Sequence, residues 1–308
     1  MKGFKTDMEK DIIRQFCDIA GTDNVETDAP MNRYTTFRTG GPADCMVSPG
    51  TIEQIRQLLK ICRENKIKYF VMGNGSNVIV RDSGYRGLII RINKNFSGIR
   101  LEGEMITAQA GMMLSKVAAA ASTAGLTGME FASGIPGTLG GALGMNAGAY
   151  GGEMSQIVEW VKVMDQNGDL RTLSREELEY EYRNSRILKE NYIALEAGIR
   201  LEKGDPDRIK QTTEELGNCR REKQPLEYPS AGSTFKRPAG SFAGKLIMDA
   251  GLAGRRVGDA QVSEKHCGFI INRGNATSGD ILALMQEVKD IVYKKTGISL
   301  ESEVKILD

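Results

Sequence analysis

Apolar residues recur at helical spacing near the start of the chain. Met8, Ile12, Phe16 and Ile19 fall on one side and predict a short amphipathic helix over residues 8–20. The spacing returns after Thr51, where Ile52, Ile55, Leu58, Leu59 and Cys62 make a buried stripe and Thr51 and Gln54 stand as a capping box. The period then shortens. YFVMG from Tyr69, VIV from Val78, GLIIRI from Gly87 and MITAQAG from Met105 are apolar, partly β-branched runs divided by turns, and each predicts a strand. Residues 113–124 predict a helix of small residues able to pack closely on its neighbours. VEWVKVMD and LRTLS flank Gln166-Asn167-Gly168-Asp169, a hairpin signal, and YIALEAGIRLE predicts a strand after it.

Asp205-Pro206 marks a helix start, with proline at the first helical position. The helix over residues 206–223 is charged, reads as a connector, and puts a domain boundary near 203–205. Beyond it the chain predicts a helix near 241–250, strands at VGDAQV and CGFIIN, and a long helix from Thr277 to Lys295 with Ile281, Leu284, Met285, Val288 and Val292 on one face. The final run alternates, placing Leu300, Ser302, Val304 and Ile306 on one side and Glu301, Glu303 and Lys305 on the other. There is no internal repeat, and the elements predict a mixed α and β chain in two or three lobes.

A length of 308 residues exceeds one typical domain. Forty per cent hydrophobic and 26% charged residues suit an ordinary globular protein, and a net charge of +1 gives no electrostatic reason for a nucleic-acid or acidic-membrane partner. Cys17, Cys45, Cys62, Cys219 and Cys267 are odd in number and never form C-x-x-C, which reads as reduced thiols and neither a disulfide frame nor a zinc site. The N-terminus lacks the apolar centre of a signal peptide, and no run of about 18 apolar residues could cross a bilayer. The expectation is a cytoplasmic protein without membrane insertion and without a metal site.

Glycine changes the picture. It makes up 36 residues, about 12% against a usual ~7%, and it concentrates in two places. Gly73-Asn74-Gly75-Ser76-Asn77 lies between two predicted strands, where glycines let backbone N–H groups converge on an anion. A tight turn is the alternative. The loop is not a dinucleotide fingerprint, since the third glycine and the following helix are missing, and no G-K-[ST] occurs. The second place is Gly134 to Gly152, with eight glycines in nineteen residues, read as one long loop without structure of its own. It either lets a flat or charged ligand approach closely or packs as a close turn region.

The pair GNGSN and SGIPGTLGGALGMNAGAYGG resembles an FAD-binding domain of the vanillyl-alcohol-oxidase type, and most closely the UDP-N-acetylenolpyruvoylglucosamine reductase family, over about Asn32 to Val304. The resemblance implies an α+β fold. A lead-in helix over 1–31 precedes a two-lobed FAD-binding domain over 32–203, and an α+β substrate-binding domain occupies 204–308. It implies non-covalent FAD held by Gly73, Asn74, Gly75, Ser76 and Asn77 at the pyrophosphate. Gly134, Ile135, Pro136, Gly137, Thr138, Gly141, Asn146, Gly148 and Ala149 would line the rest of the flavin site. Arg33, Thr36 and Thr39 would border the cofactor. It further implies NADPH as hydride donor, an enolpyruvyl UDP-sugar as substrate, a place in cell-wall precursor synthesis, and action as a monomer.

Reducing an enolpyruvyl double bond needs a hydride at the terminal carbon, stabilisation of charge on the neighbouring carbon and carboxylate, and a proton for that carbon. By resemblance, Ser233 in A-G-S-T-F is the proton donor, Arg183 in Y-R-N-S stabilises charge, and Glu303 in L-E-S-E-V polarises the site. From the residues alone each has a plainer reading: a loop serine, a surface arginine beside acidic residues, and a strand carboxylate paired with Lys305. Lys236, Arg237, Lys245 and the sole histidine, His266, are candidates for holding the nucleotide sugar, and Asn272 belongs to the same stretch as His266. Only fifty positions separate Arg183 from Ser233, which leaves no room for the tyrosine-bearing loop of the family's longer form and implies the short, second form. A sugar or alcohol oxidase of the same fold is the other enzyme reading, and His266, outside the flavin domain, argues against covalent flavin. A non-catalytic nucleotide binder is the remaining class. It would not need the three motif residues.

Overall fold

The structure is a computed structural model and describes residues 8–308; residues 1–7 of the lead-in lie outside it. The first helix runs Lys10–Ala20, with Ile12, Phe16 and Ala20 buried. It packs on the helix Ile52–Glu64, whose buried stripe is Ile55, Leu58, Leu59 and Cys62 as predicted, with Ile61 added and Ile52 only half-buried. Thr51 caps that helix by accepting the Gln54 N–H, but the box is only half formed. The Gln54 carboxamide turns outward, taking the Gly50 N–H at 2.7 Å and donating to the Ile19 carbonyl at 2.9 Å, which ties the two helices together.

Beneath these helices lies a four-stranded sheet, in the order Val25–Pro30, Pro42–Val47, Tyr85–Arg91, Tyr69–Met72. The first pair is antiparallel and the others parallel. A second sheet of five antiparallel strands runs Leu170–Ser174, Val158–Met164, Ile193–Arg200, Met105–Gln109, Ile99–Glu102. The Asn-Gly hairpin closes its first pair, with Gly168 in the left-handed region at φ 91°. The helix Leu114–Thr123 buries Leu114, Val117, Ala118 and Ala121, and one apolar core joins both lobes.

The second glycine-rich stretch is not structureless, contrary to the sequence expectation. It forms a short helix, Leu139–Gly144, followed by a two-residue hairpin of Gly148–Ala149 with Gly152–Glu153. Leu139 and Leu143 supply the missing apolar period, and both are fully buried.

Asp205 caps the helix Pro206–Lys223 as its sequence signal implies. The C-terminal part then gathers the helix Ala243–Asp249, a three-stranded sheet and the helix Ser278–Thr296 around its own core. VGDAQV is a hairpin where one strand was expected: Arg256–Val257 pairs with Ala260–Val262 across Gly258-Asp259. Thr277 and Asp280 form a complete capping box on the last helix. The five apolar residues expected on its buried face are all buried.

Several contacts weld this part to the N-terminal lobes. Phe37 and Ile79, both fully buried, belong to the C-terminal core and not to their own. Asp82 reaches the start of the last helix, where Oδ1 and Oδ2 accept the Ser278 and Gly279 N–H groups, each at 2.9 Å. The chain then returns. Lys305–Leu307 pairs in parallel with Val78–Val80 beside the first glycine loop. The alternation expected at the end therefore breaks after Val304: Leu307 is buried and Ile306 exposed, because pairing with Val78–Val80 resets the face.

Candidate active site

Arg183, Ser233 and Glu303 stand on the wall of one cavity of about 340 Å³ between the N-terminal lobes and the C-terminal part. Glu303 is brought beside the Ser233 segment by a short antiparallel contact. Phe235 bridges Ser302, the Glu303 N–H donates to the Thr234 carbonyl at 2.9 Å, and the Lys236 N–H donates to the Glu301 carbonyl at 2.9 Å. Thr234 is itself fixed, its Oγ1 accepting the Ile270 N–H at 3.0 Å.

Arg183 arrives from the other side. Its backbone is left-handed at φ 55°, in a tight turn where Glu181 and Asn184 pair, and its guanidinium reaches the Gly148 carbonyl at 3.4 Å. Arg183 Nε lies 2.9 Å from Glu303 Oε1, so Glu303 pairs with Arg183 and not with Lys305. The approach is off-axis for a hydrogen bond, and the contact acts as an ion pair. Glu303 Oε2 is buried without a hydrogen-bond partner among the described residues. Burial pushes the Glu303 carboxyl above its ordinary value, opposed by the Arg183 guanidinium and, more weakly, by Lys236. Lys305 lines the same cavity with no acidic partner among the described ion pairs.

The two glycine stretches meet in this wall. A Cβ on Gly73 would fall 2.2 Å from Thr138 Oγ1, so the loops touch only because Gly73 has no side chain. Asn74, Gly75, Ser76 and Asn77 line the cavity, as do Ile135, Pro136, Gly137, Thr138, Gly141, Gly148 and Ala149. Gly134 lines the neighbouring cavity. Asn146 does neither. It is buried behind the wall, where its side chain donates to the Glu181 carbonyl at 3.2 Å and accepts the Ser155 N–H at 2.9 Å.

The neighbouring cavity is wider, about 980 Å³, and bears Arg33, Arg38, Arg91, Arg220 and Arg221. Asn74, Pro136, Arg220, Gly232 and Phe269 line both cavities. Thr36 borders this second cavity, while Thr39 is buried away from both. Arg220 is the residue sequence reading missed. It sits in the charged run NCRREK and no motif marks it. Folding presses it against Gly134, where an added Cβ would lie 3.0 Å from the Arg220 Cδ. Burial pulls on its guanidinium, and no acid pairs with it among the described residues.

The remaining basic candidates lie outside these cavities. Lys236 pairs with Glu301 at 3.3 Å, and the Arg237 N–H donates to the Tyr182 hydroxyl at 3.2 Å while its guanidinium covers the Phe242 ring. Lys245 pairs with Asp249 along its own helix. His266 is turned inward, its Nδ1 accepting the Gly268 N–H at 3.1 Å and its ring set edge-on to Phe269; burial lowers its pKa. Asn272 holds the domains together by donating to the Phe37 carbonyl at 3.0 Å. Among the described residues no cluster of His, Cys, Asp or Glu could hold a metal, and no helix is long and apolar enough to cross a membrane.

A slot walled by glycine backbone, opening into an arginine-rich chamber, fits a flat ring carrying an anionic tail, and residues 43–174 match the FAD binding domain family. The protein is a flavoprotein. Residues 224–307 match the UDP-N-acetylenolpyruvoylglucosamine reductase C-terminal domain. The chain is 50% identical over 298 residues to the Clostridium botulinum UDP-N-acetylenolpyruvoylglucosamine reductase, covering 97% of each chain. It is 52% identical over 285 residues to that of Alkaliphilus oremlandii, covering 92% of this chain and 94% of the relative. The crystal structure of the Thermus caldophilus enzyme (MurB) superposes with a TM-score of 0.79 at 35% identity, covering 91% of this chain and 97% of that one. An alkyldihydroxyacetonephosphate synthase, at 13% identity and TM-score 0.51, shares the fold alone. The chain belongs to the UDP-N-acetylenolpyruvoylglucosamine reductase family.

Proposed function

We propose that Arg183, Ser233 and Glu303 carry the reduction of an enolpyruvyl UDP-sugar, with Ser233 as proton donor. The chain is a reductase of peptidoglycan precursor synthesis that uses FAD and NADPH. The observation carrying the residue roles is the meeting of three distant segments on one cavity wall, with Arg183 and Glu303 paired at 2.9 Å and Glu303 bonded to the residue after Ser233.

FAD when bound supplies the hydride from its reduced ring N5, having taken it from NADPH. Gly73–Asn77 border the pyrophosphate and Gly134–Thr138 line the rest of the flavin site, and Arg220, at the neck of both cavities, offers its permanent charge to the same pyrophosphate. Arg91, stacked on the Tyr34 ring, continues the basic wall.

The chain's own chemistry concerns charge and one proton. As the substrate's double bond accepts hydride at its terminal carbon, negative charge develops on the neighbouring carbon and its carboxylate. Arg183 faces that charge with a guanidinium whose position is fixed by the Gly148 carbonyl and by Glu303. Glu303 Oε2, buried without a hydrogen-bond partner among the described residues, is the atom left to meet the substrate. The Ser233 hydroxyl is a weak acid, and it gives its proton only to a base as strong as this carbanion. Lys236 and Arg237, just beyond Ser233, and more remotely Lys245 and His266, are the candidates for the nucleotide end. The site is complete within one chain, which supports action as a monomer, and five free cysteines support a reducing, cytoplasmic setting.

The test is anaerobic. NADPH should bleach the bound flavin, and the enolpyruvyl UDP-sugar should restore its colour. A flavin that NADPH reduces and this substrate leaves reduced would remove the substrate assignment.

A further inference from the structure

Asn77 closes the glycine loop GNGSN, yet its side chain leaves the loop. Its amide Nδ2 donates to the Glu303 carbonyl at 3.2 Å and lies 3.9 Å from the Met145 sulfur. Its own carbonyl accepts the Lys305 N–H at 3.1 Å. Asn77 therefore straddles the residue between, holding Glu303 through one bond and Lys305 through the other. Immediately beyond, Lys305, Ile306 and Leu307 register with Val78, Ile79 and Val80, and the Arg81 N–H donates to the Leu307 carbonyl at 3.0 Å. On its other side Glu303 is held by Thr234. The Glu303 backbone is thus clamped between the Ser233 segment and the glycine loop.

We infer that Asn77 is a positioning residue that couples occupancy of the flavin site to the placement of Glu303. The inference rests on the reading that Gly73–Asn77 borders the cofactor and Glu303 the substrate. A loop whose shape is set by the bound cofactor presents Asn77 at one position, and that position fixes how far the Glu303 carboxyl stands from Arg183. When the loop relaxes, the clamp opens, and Glu303 and the strand Lys305–Leu307 loosen together. The coupling is reciprocal, so a mutation that frees Glu303's carbonyl also weakens cofactor affinity.

Two measurements test this. In the wild-type protein, hydrogen exchange over residues 300–307 is compared between the FAD-stripped and reconstituted forms. The Lys305 amide should slow at least about tenfold when FAD returns, the size of one net hydrogen bond, whereas equal exchange in both forms would overturn the coupling. In the holoenzyme, Asn77→Leu removes the donor with the same heavy-atom branching and Asn77→Gln keeps an amide on a longer arm. Asn77→Leu should lower reoxidation by the enolpyruvyl UDP-sugar about tenfold further than it lowers reduction by NADPH, with Asn77→Gln recovering part of the loss.

The pH profile of reoxidation carries a distinct signature. The groups facing the Glu303 carboxyl are Arg183 and Lys236, with Lys305 on the same cavity wall. Drawing Glu303 away from Arg183 leaves burial less opposed, so the limb belonging to this carboxyl should move to higher pH in Asn77→Leu. Equal losses in both half-reactions with an unmoved limb would reduce Asn77 to a structural residue. Failure of the wild-type holoenzyme to reoxidise would remove the substrate assignment only, and the exchange measurement would still decide the coupling.

Discussion

Replacing Arg183 by methionine removes the guanidinium and keeps an unbranched apolar stem, and its consequences separate folding from chemistry. Arg183 and Glu303 retain 21% and 11% of their side-chain exposure at 2.9 Å, so the pair lies between two regimes. Exposed pairs contribute about 0–1 kcal/mol, whereas deleting one partner of a fully buried pair costs about 3–5 kcal/mol. Glu303 has a way out, because burial already raises its carboxyl and Arg183 is the larger of the two influences holding it down. Without Arg183 its carboxyl moves further up, and taking up a proton limits the penalty to about 1.4 kcal/mol for each pH unit above its new pKa.

The sign follows from proton counting. With a folded pKa above the unfolded one, the native state binds more protons between the two, and stability falls as pH rises through that window. Arg183→Met extends the window upward. Its folding stability should match wild type in acid and fall behind as pH rises, by about 1–2 kcal/mol near neutrality, with the melting temperature following. The chemical loss has another size. Removing a preorganised charge from the developing anion should slow reoxidation by about 10²–10³-fold, while reduction by NADPH changes far less. Calorimetry across about pH 5–8 and anaerobic stopped-flow absorbance read the two effects. A stability gap that widens in acid would show that Glu303 is not the group left behind. Equal loss in both half-reactions would show that Arg183 does not act on the reacting carbon.

Ser233→Ala should keep flavin bound and reducible by NADPH but slow reoxidation by about 10²–10⁴-fold; normal turnover would reassign the proton donor. Gly134→Val should push Arg220 out of the neck between the cavities and raise the FAD dissociation constant at least about tenfold, measured by fluorescence titration of the stripped protein; unchanged affinity would put the pyrophosphate elsewhere. Asp82→Ala should cost about 1–2 kcal/mol of stability by exposing the start of the last helix, read in chemical denaturation, and an unchanged midpoint would make the contact incidental.

Much of this was legible in the residues because it is local. Periodicity marks the helices at 10–20, 52–64 and 278–296, and Asn167-Gly168 marks the hairpin. The trio of Arg183, Ser233 and Glu303 was legible only as motifs. Nothing in their spacing announces that a tight turn and a returning strand bring them to one wall. What escaped is tertiary. Gln54 abandons half of a capping box to reach a neighbouring helix, Leu307 displaces Ile306 from the interior because Val78–Val80 needs a partner, and the short helix Leu139–Gly144 was hidden by its glycines. Arg220 became visible only once Gly134 was placed against it.

Phe37 and Ile79 give the chain a border that sequence and folding draw differently. Both belong by position to the flavin lobes and by burial to the C-terminal core. A fragment ending after the flavin lobes would present these two apolar side chains to water, together with the open edge of Val78–Val80, and such surfaces invite association between copies. The same borrowing makes the C-terminal part a poor module for exchange: transplanted among relatives, it would need the Phe37, Ile79 and Asp82 of its own chain to travel with it. The two parts are therefore held as one folding unit, through residues that line neither cavity.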